Sequence, residues 1–310
     1  MKVKLSYFGL NMSLLALTLF TLTSYGKPQI VTTITPIASL ASMVLKDKAD
    51  IEALAVGSGC PHHYNLKPSD LKKVQNADIA IYIDEEFDGF AEKLINNHAK
   101  TIIKISDIKN LKIIEMNLHL WLDLDNAKVI LQELAKIFSE KFPDLKQDIN
   151  NNLELALREL TALQETKNNE LANLKDVILL NDSSEYFFVN PNIKTTKLYS
   201  GTQKSLKYFS KLEDLIKNSN NKCLILNLEQ NPELYNKLDT KIVRLNSENW
   251  EIRNIVKSVG FNYKERGAKP IIIGETTSDN VSEFKSFDYI DSGSFRNLYL
   301  EMIDQVKKCR

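Results

Sequence analysis

The chain has 310 residues, is 43% hydrophobic and 26% charged, and carries 40 basic and 40 acidic side chains. That is chain enough for two domains with proper cores. Balanced charge, with lysines interleaved among Asp and Glu, reads as solvated surface and excludes the basic footprint of a nucleic-acid-binding protein.

Residues 1–26 stand apart. Lys2 and Lys4 precede an apolar run from about Tyr7 to Leu22, and Ser24-Tyr25-Gly26 puts small residues at the third and first positions before a cut. This is the pattern of a secretory signal peptide cleaved after Gly26, the alternative being an uncleaved anchor with a short span. Removal of the segment takes two lysines and no acids, so the net charge goes from 40 − 40 to 38 − 40, or −2. An exported chain meets an oxidising compartment. Its three cysteines, Cys60, Cys223 and Cys309, then predict one disulfide and one leftover thiol, with the pairing open.

Taken in order, QIVTTI (29–34) is a β-branched strand, followed by a helix-like IASLASMVLKDK. DIEALAV (50–56) is a second strand and runs into the turn GSGCPHHYN. PSDLKKVQNA is helical, broken from what precedes by Pro68, with Ser69 able to cap it. DIAIYID (78–84) is a buried-type strand, FDGFAEKLINNH a helix and TIIKISDI (101–108) a fourth strand. Strands alternating with such helices predict βαβ units and a parallel sheet.

From Asn126 the pattern turns helical. Pro143 opens a segment, 143–175, in which Leu145, Ile149, Leu153, Ala156, Leu160 and Leu163 recur at helical steps. A helix of about 33 residues would be ~50 Å long, a stiff rod joining two lobes. Afterwards the α/β alternation resumes, with strands expected at DVILLN (176–181), KCLILNL (222–228), TKIVRLN (240–246) and KPIIIGE (269–275), helices at SLKYFSKLEDLIKNS, PELYNKL and IRNIVKSVG, and an amphipathic C-terminal helix SFRNLYLEMIDQVKKC. The expected organisation is therefore a signal peptide at 1–26, an N-terminal α/β lobe at 27–142, the connecting helix at 143–175 and a C-terminal α/β lobe at 176–310.

Parallel α/β lobes bind ligands at the carboxyl ends of their strands. There lie His62 after the second strand and His119 in MNLHLWLD after the fourth. In the second lobe the corresponding ends carry Asn181-Asp182 and Asn246, while Asp288 and Asp291 precede the last helix. Imidazoles from one lobe facing oxygen donors from the other would make a mixed nitrogen–oxygen site for a divalent metal.

IVTTITPIASLASMV, GCPHHYNLKPSDLKKVQNADIAIYID and NLHLWLDLDNAKVILQELA together resemble the periplasmic metal-binding proteins of zinc and manganese ABC importers, the zinc-uptake branch more closely. The resemblance implies two parallel-sheet α/β lobes joined by one long rigid helix, with the metal at the lobe interface. It places His62 and His119 on two histidine ligands, and His63 on a neighbouring position that varies. A third histidine of the family is replaced here by Asn181, with Asp182 preserved. The fourth ligand, a carboxylate, falls on Asp288, with Asn246, Asp291 or water as alternatives, because residues 247–285 look like an insertion. Exchange of imidazole for carboxamide weakens a zinc site and moves it toward harder ions such as Mn²⁺. The Cys60 thiolate would be a strong compensating zinc ligand, though Pro61 restricts joint ligation with His62. The resemblance also implies a Cys223–Cys309 disulfide, and as partners an ABC permease with its cytoplasmic ATPase.

The expected function is capture, not turnover: a monomeric periplasmic subunit taking up Zn²⁺, or alternatively Mn²⁺. A relative with a degenerate site, acting as adhesin or sensor, is the further alternative. An enzyme is not expected, since no His-Glu-x-x-His helix and no Gly-x-Ser-x-Gly elbow occur.

Overall fold

The computed structural model describes residues 26–56, 64–189, 193–199, 205–248, 261–262, 271–272 and 294–310. Eight of its strands form two four-stranded sheets. In the first, β1 (Gln29–Ile34), β2 (Asp50–Ala55), β3 (Ile79–Tyr82) and β4 (Ile102–Lys104) run parallel in the order β2-β1-β3-β4. In the second, β5 (Asp176–Leu179), β6 (Lys194–Lys197), β7 (Cys223–Asn227) and β8 (Lys241–Leu245) repeat that order as β6-β5-β7-β8, again all parallel. The order reverses beside the first strand of each sheet, which opens a crevice at the carboxyl ends there.

The first sheet is dressed by α1 (Thr35–Leu45), α2 (Pro68–Asn76), α3 (Glu85–His98) and α4 (Leu124–Lys141). Pro36 sits in the first turn of α1, where its missing N–H costs nothing. α2 starts at Pro68 as the sequence predicts, but Ser69 is not its cap. The fixing group is the nearly buried Asp70, whose carboxylate accepts from the Lys67 N–H at 2.7 Å and from the Tyr64 hydroxyl at 3.0 Å. A carboxylate in the first turn also meets the positive end of the helix dipole.

The long helix α5 covers Lys146–Leu171, preceded by a single 3-10 turn at Pro143–Leu145. Its 26 residues give ~39 Å, shorter than the rod the sequence predicts. The chain leaves the helix at Ala172, and Leu174 just beyond it is buried in the core. Ile149, Ala156, Leu160 and Leu163 are buried on its inner stripe, as expected, and the stripe continues through Lys167 and Leu171. The helix packs on α1 and α4 at one end and on the C-terminal helix α7 (Ser294–Val306) at the other. A single apolar cluster runs from Ile34 and Trp121 through Leu160 to Leu179, Val243 and Tyr299, so both lobes share one core.

α6 (Leu206–Lys217) covers the outer face of the second sheet, capped by the Ser205 hydroxyl on the Tyr208 N–H. PELYNKL yields only a 3-10 turn at Pro232–Tyr235. Of the strand expected at KPIIIGE, residues 271–272 are described, and they are not part of the second sheet. Ile271–Ile272 (β10) pairs antiparallel with Phe261–Asn262 (β9), a near neighbour in sequence, as a separate ladder. The IRNIVKSVG helix lies outside the described residues. Cys223 on β7 and Cys309 after α7 form a buried disulfide with their Cα atoms 5.4 Å apart, which is the expected pair.

Candidate metal centre

His119 is the one sequence-predicted imidazole within the described residues; His62, His63, Cys60, Asp288 and Asp291 lie outside them. It sits between β4 and α4 and is only 5% exposed. The ring stands edge-on to Phe87 at 5.1 Å and tilted against Trp121 at 5.4 Å, so two aromatic faces fix its plane. Phe87 is itself held by the start of α3. There the buried Asp88 accepts from the Ile83 and Asp84 N–H groups, each at 2.9 Å, and from the Thr33 hydroxyl.

The tautomer of His119 follows from its neighbours. Asn117 Nδ2 donates to the Asp182 carbonyl at 2.9 Å, which identifies the other amide atom as the oxygen. That Oδ1 accepts from the His119 backbone N–H at 3.1 Å and meets Nδ1 of the ring at 2.8 Å. Nδ1 must therefore carry a hydrogen, and in the neutral ring Nε2 presents a lone pair. Opposite Nε2, at 3.0 Å, is the carboxylate Oε1 of Glu248, with both side chains under 10% exposed. Two acceptors in such a buried contact repel unless they share a proton or both ligate one metal ion.

Glu248 comes from the other lobe, three residues past the end of β8. Its loop is pinned to the first lobe by two bonds. The Trp121 indole donates to the Ser247 carbonyl at 2.9 Å, and the Thr35 hydroxyl donates to the Glu248 carbonyl at 3.2 Å. Glu248 is a residue that the sequence reading passed over. The fourth ligand expected at Asp288 or Asn246 has in Glu248 a carboxylate two positions beyond Asn246.

Asn181 lies two residues past the end of β5, which stops at Leu179 and not at Asn181 as the sequence predicts. Its Oδ1 already accepts from the Ser183 N–H at 3.0 Å and hydroxyl at 2.5 Å, and its Nδ2 donates to Gln230 at 2.7 Å. Both lone pairs of this oxygen are thus engaged, and a metal would have to displace at least one of those donors. The Asp182 side chain is exposed, and its carbonyl is what reaches Asn117. Among the described residues no group of three or more His, Cys, Asp and Glu side chains converges. His119 and Glu248 are the two that meet. No described helix is long and apolar enough to cross a membrane.

Residues 30–254 match the model of the family described as the periplasmic component A of the zinc-uptake complex. The span includes His62, His119, Asn181 and Glu248 and stops short of Asp288. The chain is similar to an uncharacterised protein of Rickettsia prowazekii, with 52% identity over 99% of this chain and 92% of that one. It also resembles a manganese ABC transporter substrate-binding lipoprotein of Streptococcus gordonii, 28% identical over 53% of this chain and 59% of the other. Its fold matches that of the periplasmic zinc-binding protein TroA from Treponema pallidum with a TM-score of 0.68, 14% identity, and coverage of 92% of this chain and 99% of that one. The strand order, the long connecting helix and the family match agree: the chain belongs to the zinc-uptake component A family of metal ABC transporter substrate-binding proteins, which has zinc and manganese members.

Proposed function

We propose that this chain captures a divalent first-row metal ion, Zn²⁺ foremost, between its two lobes and delivers it to a membrane permease driven by a cytoplasmic ATPase. It would do so as a monomer in the periplasm, after export and cleavage behind Gly26. The observation that carries the reading is the His119–Glu248 pair. An imidazole of fixed tautomer from one lobe and a carboxylate from the other meet at 3.0 Å in a contact that calls for a cation. His62 supplies the second imidazole. Asn181 and Asp288 are the remaining candidates for the coordination shell, and Glu248, 3.0 Å from His119, joins them as a carboxylate. Two nitrogens and one carboxylate suffice for zinc with a water in the open position. Oxygen at position 181 favours Mn²⁺ as the second reading, since harder ions prefer such donors.

The test is calorimetric titration of the metal-stripped mature chain with Zn²⁺ and with Mn²⁺. Tight one-to-one binding, lost in His119→Ala and in His62→Ala and weakened in Glu248→Gln, is the expected result. Failure of both ions to bind at micromolar concentration, or unchanged affinity in both histidine variants, would overturn the reading.

A further inference from the structure

Asn117 is 6% exposed and uses its whole hydrogen-bonding capacity. Its Oδ1 takes the His119 backbone N–H and Nδ1–H. Its Nδ2 gives one hydrogen to the Asp182 carbonyl at 2.9 Å and the other to the Glu185 carboxylate at 3.1 Å. Its own backbone carbonyl accepts from the Tyr186 hydroxyl at 2.9 Å, and its N–H donates to the Ile114 carbonyl at 2.9 Å. Glu185 is paired in turn with Lys197 on β6. One carboxamide therefore touches the metal-site histidine on one side and the turn after β5, in the other lobe, on the other.

We propose that Asn117 is the positioning residue of the metal centre, setting the tautomer and aim of His119 while holding the 182–185 turn of the second lobe against it. This rests on the reading of His119 as a ligand. The chemistry requires an amide and nothing else at this position. A carboxylate would satisfy Nδ1–H but would face the Asp182 carbonyl and the Glu185 carboxylate with no hydrogen to give. A small apolar residue would leave Nδ1 without an acceptor, so that the ring would be free to protonate at either nitrogen and to turn. An amide alone can accept from the histidine and donate twice across the interface. Outer-shell partners of this kind are worth 10- to 100-fold in metal affinity in other sites. The same atoms make the distance between the lobes and the direction of the Nε2 lone pair a single variable. A shift of the 182–185 turn would move the acceptor of Nδ1–H, and with it the ring.

The experiment uses the full mature chain with ¹⁵N-labelled histidine. Wild type, Asn117→Ala, Asn117→Asp and Asn117→Gln are compared by ¹⁵N imidazole chemical shifts in the metal-free state and by Zn²⁺ affinity in competition with a chelator. Thermal melts confirm that each variant is folded. The expected result is an Nδ1 that carries hydrogen throughout in wild type, whether or not Nε2 shares a proton with Glu248, a population with bare Nδ1 and Nε2–H facing Glu248 in Asn117→Ala, and a 10- to 100-fold loss of affinity in Ala and Asp with partial recovery in Gln. A His119 tautomer unchanged in the folded Ala variant would overturn the proposal, as would loss of less than about threefold in both Ala and Asp. The tautomer is read without metal. If His119→Ala binds Zn²⁺ like wild type, it is the ligand assignment that fails, and the tautomer shift alone then decides whether Asn117 positions the ring.

Discussion

Replacing Lys167 with methionine should stabilise the protein at and below neutral pH and remove a pH dependence that the wild-type chain shows. Lys167 is fully buried on the inner stripe of α5. Its ammonium donates to the Phe187 carbonyl and to the Tyr299 hydroxyl, each at 3.1 Å, and lies 5.2 and 5.7 Å from the centroids of the same two rings. Asp123 and Asp125, at the start of α4, favour its charge and Lys128 opposes it, but burial outweighs them all and pushes the group from 10.5 down to about 7. Asp123 is a weak counter-charge because burial also drives its own carboxyl upward.

At about 1.4 kcal/mol per pH unit, that displacement costs the native state roughly 5 kcal/mol wherever the lysine is charged in both states. The folded value lies below the unfolded one, so between about pH 7 and 10.5 the unfolded chain binds the extra proton. Stability from this group rises with pH through that window, and the full penalty stands below it. Methionine keeps the length and the aromatic company but leaves the Phe187 carbonyl without its donor, a loss of about 1–3 kcal/mol. The variant should therefore be more stable by about 2–4 kcal/mol near pH 6, with the advantage gone by about pH 9.5. Urea unfolding of both chains across that range, read by circular dichroism, measures the difference. Tyrosine ionisation affects both chains alike. A difference that does not change with pH, or a variant less stable at pH 6, would refute the reasoning.

Reduction of Cys223–Cys309, which closes a loop of 86 residues, should cost ~4–5 kcal/mol in the chain-entropy model and lower the melting temperature. An identical melt with and without reductant would show that the bridge contributes nothing. Trp121→Phe removes the indole bond to the Ser247 carbonyl but keeps most of the ring packing around His119. Stability should fall by about 1–3 kcal/mol, and Zn²⁺ should leave faster when pulled by excess chelator. An unchanged release rate would mean that this loop does not guard the metal.

The sheets were legible because their strands are β-branched or aliphatic runs closed by polar turns. QIVTTI maps onto β1 residue for residue. β6 was not legible, since KTTK offers two threonines between lysines and is half-exposed at a sheet edge. The inner stripe of α5 was read correctly up to Leu163. Its continuation was hidden by Lys167, because a lysine in a sequence reads as surface and only the rings of Phe187 and Tyr299, 20 and 132 positions away, reveal otherwise. The site shows the same limit. His119 stood out by residue type and by its motif. Glu248 and Asn117 are ordinary polar residues in loops, and their roles come from contacts 129 and 68 positions apart that no local pattern encodes.

The continuous core has one consequence for how such a receptor works. Swinging the lobes apart as rigid bodies would strip apolar surface from α5, α4 and α7 together, so a wide-open form is costly. The binding-competent arrangement is then the dominant population of the metal-free chain, and intrinsic affinity is realised without the discount that a rarely populated competent state imposes. On the proposed reading this suits the scavenging of a scarce ion. On the same reading, a permease would not recognise the loaded receptor by gross shape. The difference between full and empty would then lie in the local surface around the 182–185 turn and the Glu248 loop.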